Sequence, residues 1–154
     1  AILVDTRKTV PGLRALQKAA VLAGGGQNHR MGLYDAVLIK DNHIAVAGSA
    51  ETAIQQTRAA VGSGTSIEIE VESVEQLEAA IDAGADIIML DNMSVDMMRE
   101  AMNIIQNQAV VEASGGITLE TVGEVAETGV HLISIGGLTH SVTALDISLD
   151  LEVS

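Results

Sequence analysis

The sequence predicts an α/β fold built on a parallel sheet, and three observations carry that reading. Six short aliphatic runs alternate with stretches patterned as helices, the signature of parallel strands joined by crossovers. Each run stops abruptly in polar, chemically capable residues. Two junctions echo one another, Ala83-Gly84-Ala85-Asp86-Ile87-Ile88 and Thr128-Gly129-Val130-His131-Leu132-Ile133, each leading from a helix stop into a strand. In a barrel of such units all strand C-termini open onto one face, where catalytic groups collect. Six units in one domain spanning residues 1–154 are too few for an eight-fold barrel. A six-stranded barrel and an open doubly wound sheet both fit the pattern.

The elements follow in order. Ile2-Leu3-Val4 runs into Asp5-Thr6-Arg7-Lys8. Pro11 suits a first helical position, with Leu13, Leu16, Ala20 and Ala23 on the apolar side, Lys18 on the polar side and Gly24-Gly25-Gly26 as the stop. Ala36-Val37-Leu38-Ile39 then reaches Lys40-Asp41-Asn42-His43. Ser49 caps a helix through about Val61, ahead of Ile67-Glu68-Ile69-Glu70. Ser73-Val74-Glu75-Gln76 has the form of a capping box, closed at Gly84 before Ile87-Ile88-Met89-Leu90-Asp91-Asn92. Ser94 caps the helix carrying Met97, Met98, Ala101, Met102 and Ile105. Val110-Val111 leads through Glu112-Ala113 to Ser114-Gly115-Gly116. A helix starting at Thr118 ends at Gly129, and Leu132-Ile133-Ser134-Ile135 reaches Gly136-Gly137.

Composition narrows the function. Nearly half the residues are hydrophobic, yet there is one Tyr and no Phe or Trp, so the core is packed from Ile, Leu, Val, Ala and Met, as suits the interior layers of a parallel barrel. Without cysteine there is neither a disulfide framework nor thiolate chemistry, which fits a cytoplasmic protein. No apolar stretch approaches the roughly 18–20 residues of a membrane span, so no membrane role is expected. The net charge of −13 argues against nucleic acid as a partner. Its distribution says more. Residues 1–40 hold Arg7, Lys8, Arg14, Lys18, Arg30 and Lys40 against Asp5 and Asp35, a balance of +4, while the remainder stands at −17. Basic residues gathered in an acidic protein suggest a site for a small anion.

The residue types sharpen that suggestion. Arg7 can grip a carboxylate in a bidentate fork, and Lys8 beside it supplies a compact charge for phosphate oxygens. Gly24–Arg30 is a turn that delivers a further cation beside His29. Lys40 ends a strongly apolar strand, where an unpaired lysine is costly unless it faces a pocket. Taken singly, these are surface cations and a glycine helix stop.

Together, the Asp5–Arg14 loop, Gly24–Arg30, Leu38-Ile39-Lys40-Asp41-Asn42-His43, Glu68-Ile69-Glu70-Val71, Met89-Leu90-Asp91-Asn92, Glu112–Ile117 and Ile133–Ser141 resemble the quinolinate phosphoribosyltransferase family, in order and over essentially the whole chain. The resemblance implies a TIM-like but incomplete α/β barrel with six strands. It implies an additional, mostly N-terminal, α/β sandwich domain that this chain lacks, and a homodimer or higher assembly in which that domain completes the partner's pocket and lends it an arginine. The implied reaction joins quinolinate and phosphoribosyl pyrophosphate, with Mg2+ and no organic cofactor, to give nicotinate mononucleotide, pyrophosphate and carbon dioxide, a step of NAD biosynthesis. Ala19, Ala23 and His131 depart from common family residues, all outside the strand-end loops.

Residue by residue, the resemblance places Arg7, His29, Arg30 and Lys40 around the two carboxylates of quinolinate, and Lys8 toward phosphoribosyl pyrophosphate. Glu70 and Asp91 are expected to hold ribose hydroxyls and the metal, and with Lys40 to be the catalytic groups. Ser114, Gly115 and Gly116, with Gly136 and Gly137, are expected to offer backbone N–H groups to the 5′-phosphate. His140 follows as either a further phosphate donor or an ordinary first-turn histidine; His43 orders its turn, and His131 lies at the surface. Two other readings stay open: a paralogue from molybdenum-transport loci with a different acceptor, and a barrel that binds phosphate but is inert without its partner domain.

Overall fold

Strands form where the aliphatic runs sit: β1 (Ile2–Val4), β2 (Val37–Ile39), β3 (Ile67–Val71), β4 (Ile87–Asp91), β5 (Val110–Ser114) and β6 (Leu132–Ser134). In the computed structural model, which describes residues 1–152, all six lie parallel in one sheet ordered β1-β6-β5-β4-β3-β2. This is the neighbour order of a barrel rather than of a doubly wound sheet, so the six-stranded, TIM-like but incomplete barrel is what the chain forms. The ladder runs from β2 round to β1 and stays open between those two strands. There Gln27 bridges to Val4 in place of a neighbouring strand.

The connecting helices are α1 (Arg14–Ala23), α2 (Asp41–Ala47), α3 (Ala50–Val61), α4 (Leu77–Asp82), α5 (Val95–Ile105), α6 (Val122–Glu127) and the short α7 (Gly137–His140). Ser49 and Ser94 cap α3 and α5 as expected, accepting from the amides of Thr52 and Met97 at 3.0 and 3.3 Å. Three starts differ from the sequence reading. Pro11 lies in a turn closed by the Leu13 amide on the Val10 carbonyl, and α1 begins only at Arg14. The Ser73 box does not form: a 3₁₀ turn over Val74–Gln76 tightens the chain, and the Gln76 side chain accepts instead from the Glu72 amide at 2.9 Å. Thr118–Thr121 is a turn held by the Thr121 hydroxyl, and α6 follows it.

Strand alternation divides the side chains into two sets. Ile39, Ile67, Ile69, Val71, Ile88, Leu90, Val111, Ala113 and Ile133 face the helices and form one buried cluster with Ile54, Leu77, Met98 and Ile105. Each large aliphatic buried there contributes roughly 1.5–3 kcal/mol. Leu38, Glu70, Met89, Asp91, Glu112, Ser114 and Ser134 face the opposite way and line the barrel interior. The aliphatic residues therefore do not fill the interior, as composition had suggested. They pack mainly between the sheet and the helices and leave an interior in which Leu38 and Met89 sit among polar side chains.

Two further expectations are corrected. Lys18 is 1% exposed rather than on a solvated face, because its ammonium pairs with the equally buried Asp5 beneath α1. His131 is half-buried at the start of β6, where its Nδ1 accepts from the Val111 amide at 2.9 Å.

Candidate active site at the mouth of the barrel

The loop after β1 presents Arg7 and Lys8. Arg14 holds it from below, donating through Nη2 to the Arg7 carbonyl at 3.0 Å and through Nε to the Thr9 hydroxyl at 3.1 Å. Thr139 of α7 secures the next residue, its hydroxyl donating to the Lys8 carbonyl at 2.7 Å. This ties the first loop to the last one. A Cβ on Gly136 would sit 2.9 Å from the His140 ring and 3.7 Å from the Lys8 side chain, so glycine lets these two groups flank the β6 turn.

Lys40 ends β2. Its amide donates to His43 Nδ1 at 2.9 Å and α2 starts there, so His43 does order the turn. The Lys40 ammonium is half-exposed and bonds Glu70 Oε2 from the neighbouring strand. Asp91 ends β4 opposite Ser114 of β5. Asn92 takes a left-handed φ of 53° and donates through Nδ2 to Asp91 Oδ2 at 2.7 Å. Gly115, with φ of 98°, passes so close to Asn92 that any Cβ would meet its side-chain oxygen at 2.3 Å. Glycine is obligatory there on two counts.

All these groups line one cavity of about 550 Å³: Arg7, Lys8, His29, Arg30, Lys40, Glu70, Asp91, Ser114, Gly115, Gly116, Gly136, Gly137 and His140. Each residue the resemblance assigned to the site is brought to it, whereas Arg14 and Lys18 of the basic group lie outside. Each of Glu70 and Asp91 has one oxygen taken by a neighbouring side chain and a second to offer. Hard carboxylate donors so placed at adjacent strand ends suit a magnesium ion that retains several waters.

The cationic side is crowded. Burial, and then the nearby Arg7 guanidinium, hold the Arg30 pKa below its usual value, while Arg7 Nε is buried without a protein partner. Two guanidinium groups set close together with a donor to spare make a receptor for an anion.

Beneath them lies a cluster the sequence reading did not single out. His29 Nε2 is 3.1 Å from Glu68 Oε2 and 3.3 Å from Glu112 Oε2, with both carboxylates buried. Burial alone would lower the imidazole pKa; the two carboxylates outweigh it and push it up to about 10. The Arg30 amide works the other way. It donates to His29 Nδ1 at 2.7 Å, so that nitrogen is an acceptor and the neutral ring carries its proton on Nε2, toward the carboxylates. Burial raises the Glu68 pKa, opposed by His29 and reinforced by Glu112. The three atoms lie within 4.8 Å of one another, close enough for a cation. A histidine ligating through Nε2 needs its proton on Nδ1, however, and here Nδ1 faces an amide donor. The cluster is therefore an imidazole held between two buried carboxylates rather than a metal site, and Glu68 Oε1 and both Glu112 oxygens have no hydrogen-bond partner among the described residues.

Residues 1–150 match the family model described as "Quinolinate phosphoribosyl transferase, C-terminal domain". The chain belongs to this family. It is 54% identical over 152 residues to the probable nicotinate-nucleotide pyrophosphorylase [carboxylating] of Bacillus subtilis, covering 99% of this chain and 53% of that protein. It is 44% identical over 174 aligned residues to quinolinate phosphoribosyltransferase [decarboxylating] 2b, mitochondrial, of Nicotiana tabacum, covering 99% of this chain and 48% of that one. The solved nicotinate-nucleotide pyrophosphorylase of Francisella tularensis superposes with a TM-score of 0.92 at 44% identity, over 96% of this chain and 52% of that one. The chain thus spans about half the length of the quinolinate phosphoribosyltransferase relatives it matches.

Glu68 and Glu112 carry a signal in the sequence, a carboxylate set inside an aliphatic strand. Each stands two residues before a cavity residue, Glu70 or Ser114, and so faces the same way. The Asp5–Lys18 pair carries none, because a lysine four residues into a helix normally reads as solvated.

Proposed function

We propose that this chain is the barrel half of a quinolinate phosphoribosyltransferase and carries most of its active site. One observation bears most of the weight: Arg7 and Arg30 stand close together beside His29, in the same cavity as the Lys40–Glu70 pair, Asp91 and the glycine turns after β5 and β6. Quinolinate is a dianion whose 2,3-carboxylates demand adjacent cations. Phosphoribosyl pyrophosphate needs a phosphate cradle and carboxylates for its ribose hydroxyls. The same cavity offers both halves.

In the reaction this site would perform, the ring nitrogen of quinolinate forms a bond to C1 of the ribose as the C1–pyrophosphate bond breaks. Glu70 and Asp91 lie where positive charge develops on the ribose and stabilise it electrostatically. Magnesium, where bound by these carboxylates, would neutralise the departing pyrophosphate. The alkylated ring nitrogen is cationic, so the electron pair left when the adjacent carboxylate departs as carbon dioxide is stabilised until a proton replaces it. Arg7, Arg30 and Lys40 act by holding the acceptor in line, an effect that can supply several kcal/mol. No side chain needs to be a covalent nucleophile.

The upstream sandwich domain, a homodimer or higher assembly and a cytoplasmic location belong to the same proposal; no nucleic-acid or membrane partner does. None of the described helices is long and apolar enough to cross a membrane. The test is formation of nicotinate mononucleotide from quinolinate and phosphoribosyl pyrophosphate by the full-length protein with Mg2+. Turnover of another acceptor in preference to quinolinate would contradict the assignment.

A further inference from the structure

The reaction makes no direct use of Lys18 and Asp5, which are 1% and 0% exposed. Their partners show what they hold. Asp5 Oδ1 accepts from the His29 amide at 2.9 Å, and Lys18 Nζ, besides bonding Asp5, donates to the His29 carbonyl at 2.9 Å. Asp5 Oδ2 accepts from Asn28 Nδ2 at 2.6 Å, and the same amide group donates to the Lys18 carbonyl at 2.9 Å. Both polar main-chain atoms of His29 are therefore satisfied by a buried pair of opposite charges.

The position matters. This is the seam of the barrel, where β1 lacks a strand on one side. The Gln27 amide donates to the Leu3 carbonyl at 2.9 Å and the Asp5 amide to the Gln27 carbonyl at 3.2 Å. Past that point the chain leaves the ladder, and two side chains take over what a neighbouring strand would have done. The segment so held carries the His29 imidazole and the Arg30 guanidinium into the cavity. Apolar residues of the same volume could replace the ion pair itself at little cost, but not its bonds to the His29 backbone. Such a replacement would leave the His29 amide and carbonyl buried and unpaired.

We propose that Lys18 and Asp5 are positioning residues for acceptor recognition: they fix the backbone at His29 and so place the imidazole and the Arg30 guanidinium against Arg7 and Lys40. This rests on the function proposed above. It predicts a selective effect, because other contacts secure the rest of the site. Thr139 holds Lys8, and Asn92 packs against Asp91 and Gly115. Loosening the pair should disturb quinolinate and spare phosphoribosyl pyrophosphate.

The experiment is steady-state kinetics on the full-length protein carrying Asp5→Asn together with Lys18→Met, which removes both charges at once and leaves neither stranded. Misplacing the arm by a fraction of an ångström should raise KM for quinolinate by about tenfold or more. KM for phosphoribosyl pyrophosphate should stay within about twofold of wild type. Equal rises in both constants, or a lowered unfolding midpoint with quinolinate KM unchanged, would overturn the proposal. Should that variant not fold, Lys18→Arg keeps the charge but moves the donors. The same split in KM supports the proposal, and no split overturns it. A wild-type protein that does not turn over quinolinate defeats the functional assignment instead. Hydrogen exchange at the His29 and Arg30 amides then decides the positioning role, with faster exchange in the variant supporting it and unchanged exchange overturning it.

Discussion

Replacing Lys40 by Ala tests the anion clamp at its most accessible member. The side chain is 47% exposed and bonds Glu70, itself 15% exposed, so it is neither a buried structural charge nor a free surface one. A hydrogen bond between charged groups is worth roughly 1.5–3 kcal/mol. Partial exposure and solvent screening put Lys40 at the lower end, about 1.5–2 kcal/mol. At about 1.4 kcal/mol per tenfold, KM for quinolinate should rise roughly ten- to thirtyfold in the full-length protein. Stability should move little, since Glu70 is left near water. Lys18 is no control for this experiment, being buried. Arg99 is, because it is half-exposed on α5 and pairs only with the exposed Asp96 three residues before it. Arg99→Ala should shift stability by about 0.5 kcal/mol or less and leave KM unchanged. Equal kinetic effects in the two variants, or no effect of Lys40→Ala, would mean that the basic residues are surface charge and the clamp is wrong.

Truncating Lys18 alone to Ala strands Asp5 in the interior and should cost about 3–5 kcal/mol in urea unfolding; a loss below about 1 kcal/mol would mean that Asp5 finds another partner. Gly115→Ala faces both a left-handed φ and the Asn92 side chain. It should lose at least about 1–3 kcal/mol of stability and weaken phosphate binding, as read by unfolding and by calorimetry. The His29 imidazole should titrate well above 6.5, its two carboxylates outweighing burial, and its neutral form should carry the proton on Nε2; ¹⁵N chemical shifts across pH 5–11 report both. Since the folded pKa lies above the unfolded one, this group's stabilisation is full below pH 6.5 and is lost as pH climbs toward about 10. An inflection near 6.5 would show that the Arg30 amide and burial together cancel the carboxylates.

The strands and the cavity were legible because parallel strands write themselves as aliphatic runs, and a strand's last polar residue must face the open end of the barrel. The same alternation explains what was missed inside the strands. Glu68 and Glu112 sit where an aliphatic run makes a carboxylate look incidental, and only the fold shows that their faces meet at His29. Helix starts failed where a local motif competed with the turn before it, as at Ser73, whose expected partner Gln76 bonds Glu72 instead. Lys18 was misread for a different reason. Periodicity assigns a charge to water unless its counter-charge is near in sequence, and Asp5 lies thirteen residues away across the barrel seam. The open seam itself has no sequence signal, since Gln27 reaches Val4 from within a turn.

The central claim is that the cavity at the strand ends takes the phosphoribosyl half and the dicarboxylate half of one reaction. Calorimetric titration of the 154-residue chain with phosphoribosyl pyrophosphate and Mg2+, and separately with quinolinate, tests it most directly. The turns after β5 and β6, proposed here for phosphate, lie wholly within this chain, whereas the proposed clamp would draw an arginine from another subunit. Phosphoribosyl pyrophosphate should therefore bind measurably and more tightly than quinolinate, and Gly115→Ala should weaken it. Tight quinolinate binding without affinity for phosphoribosyl pyrophosphate would contradict the account.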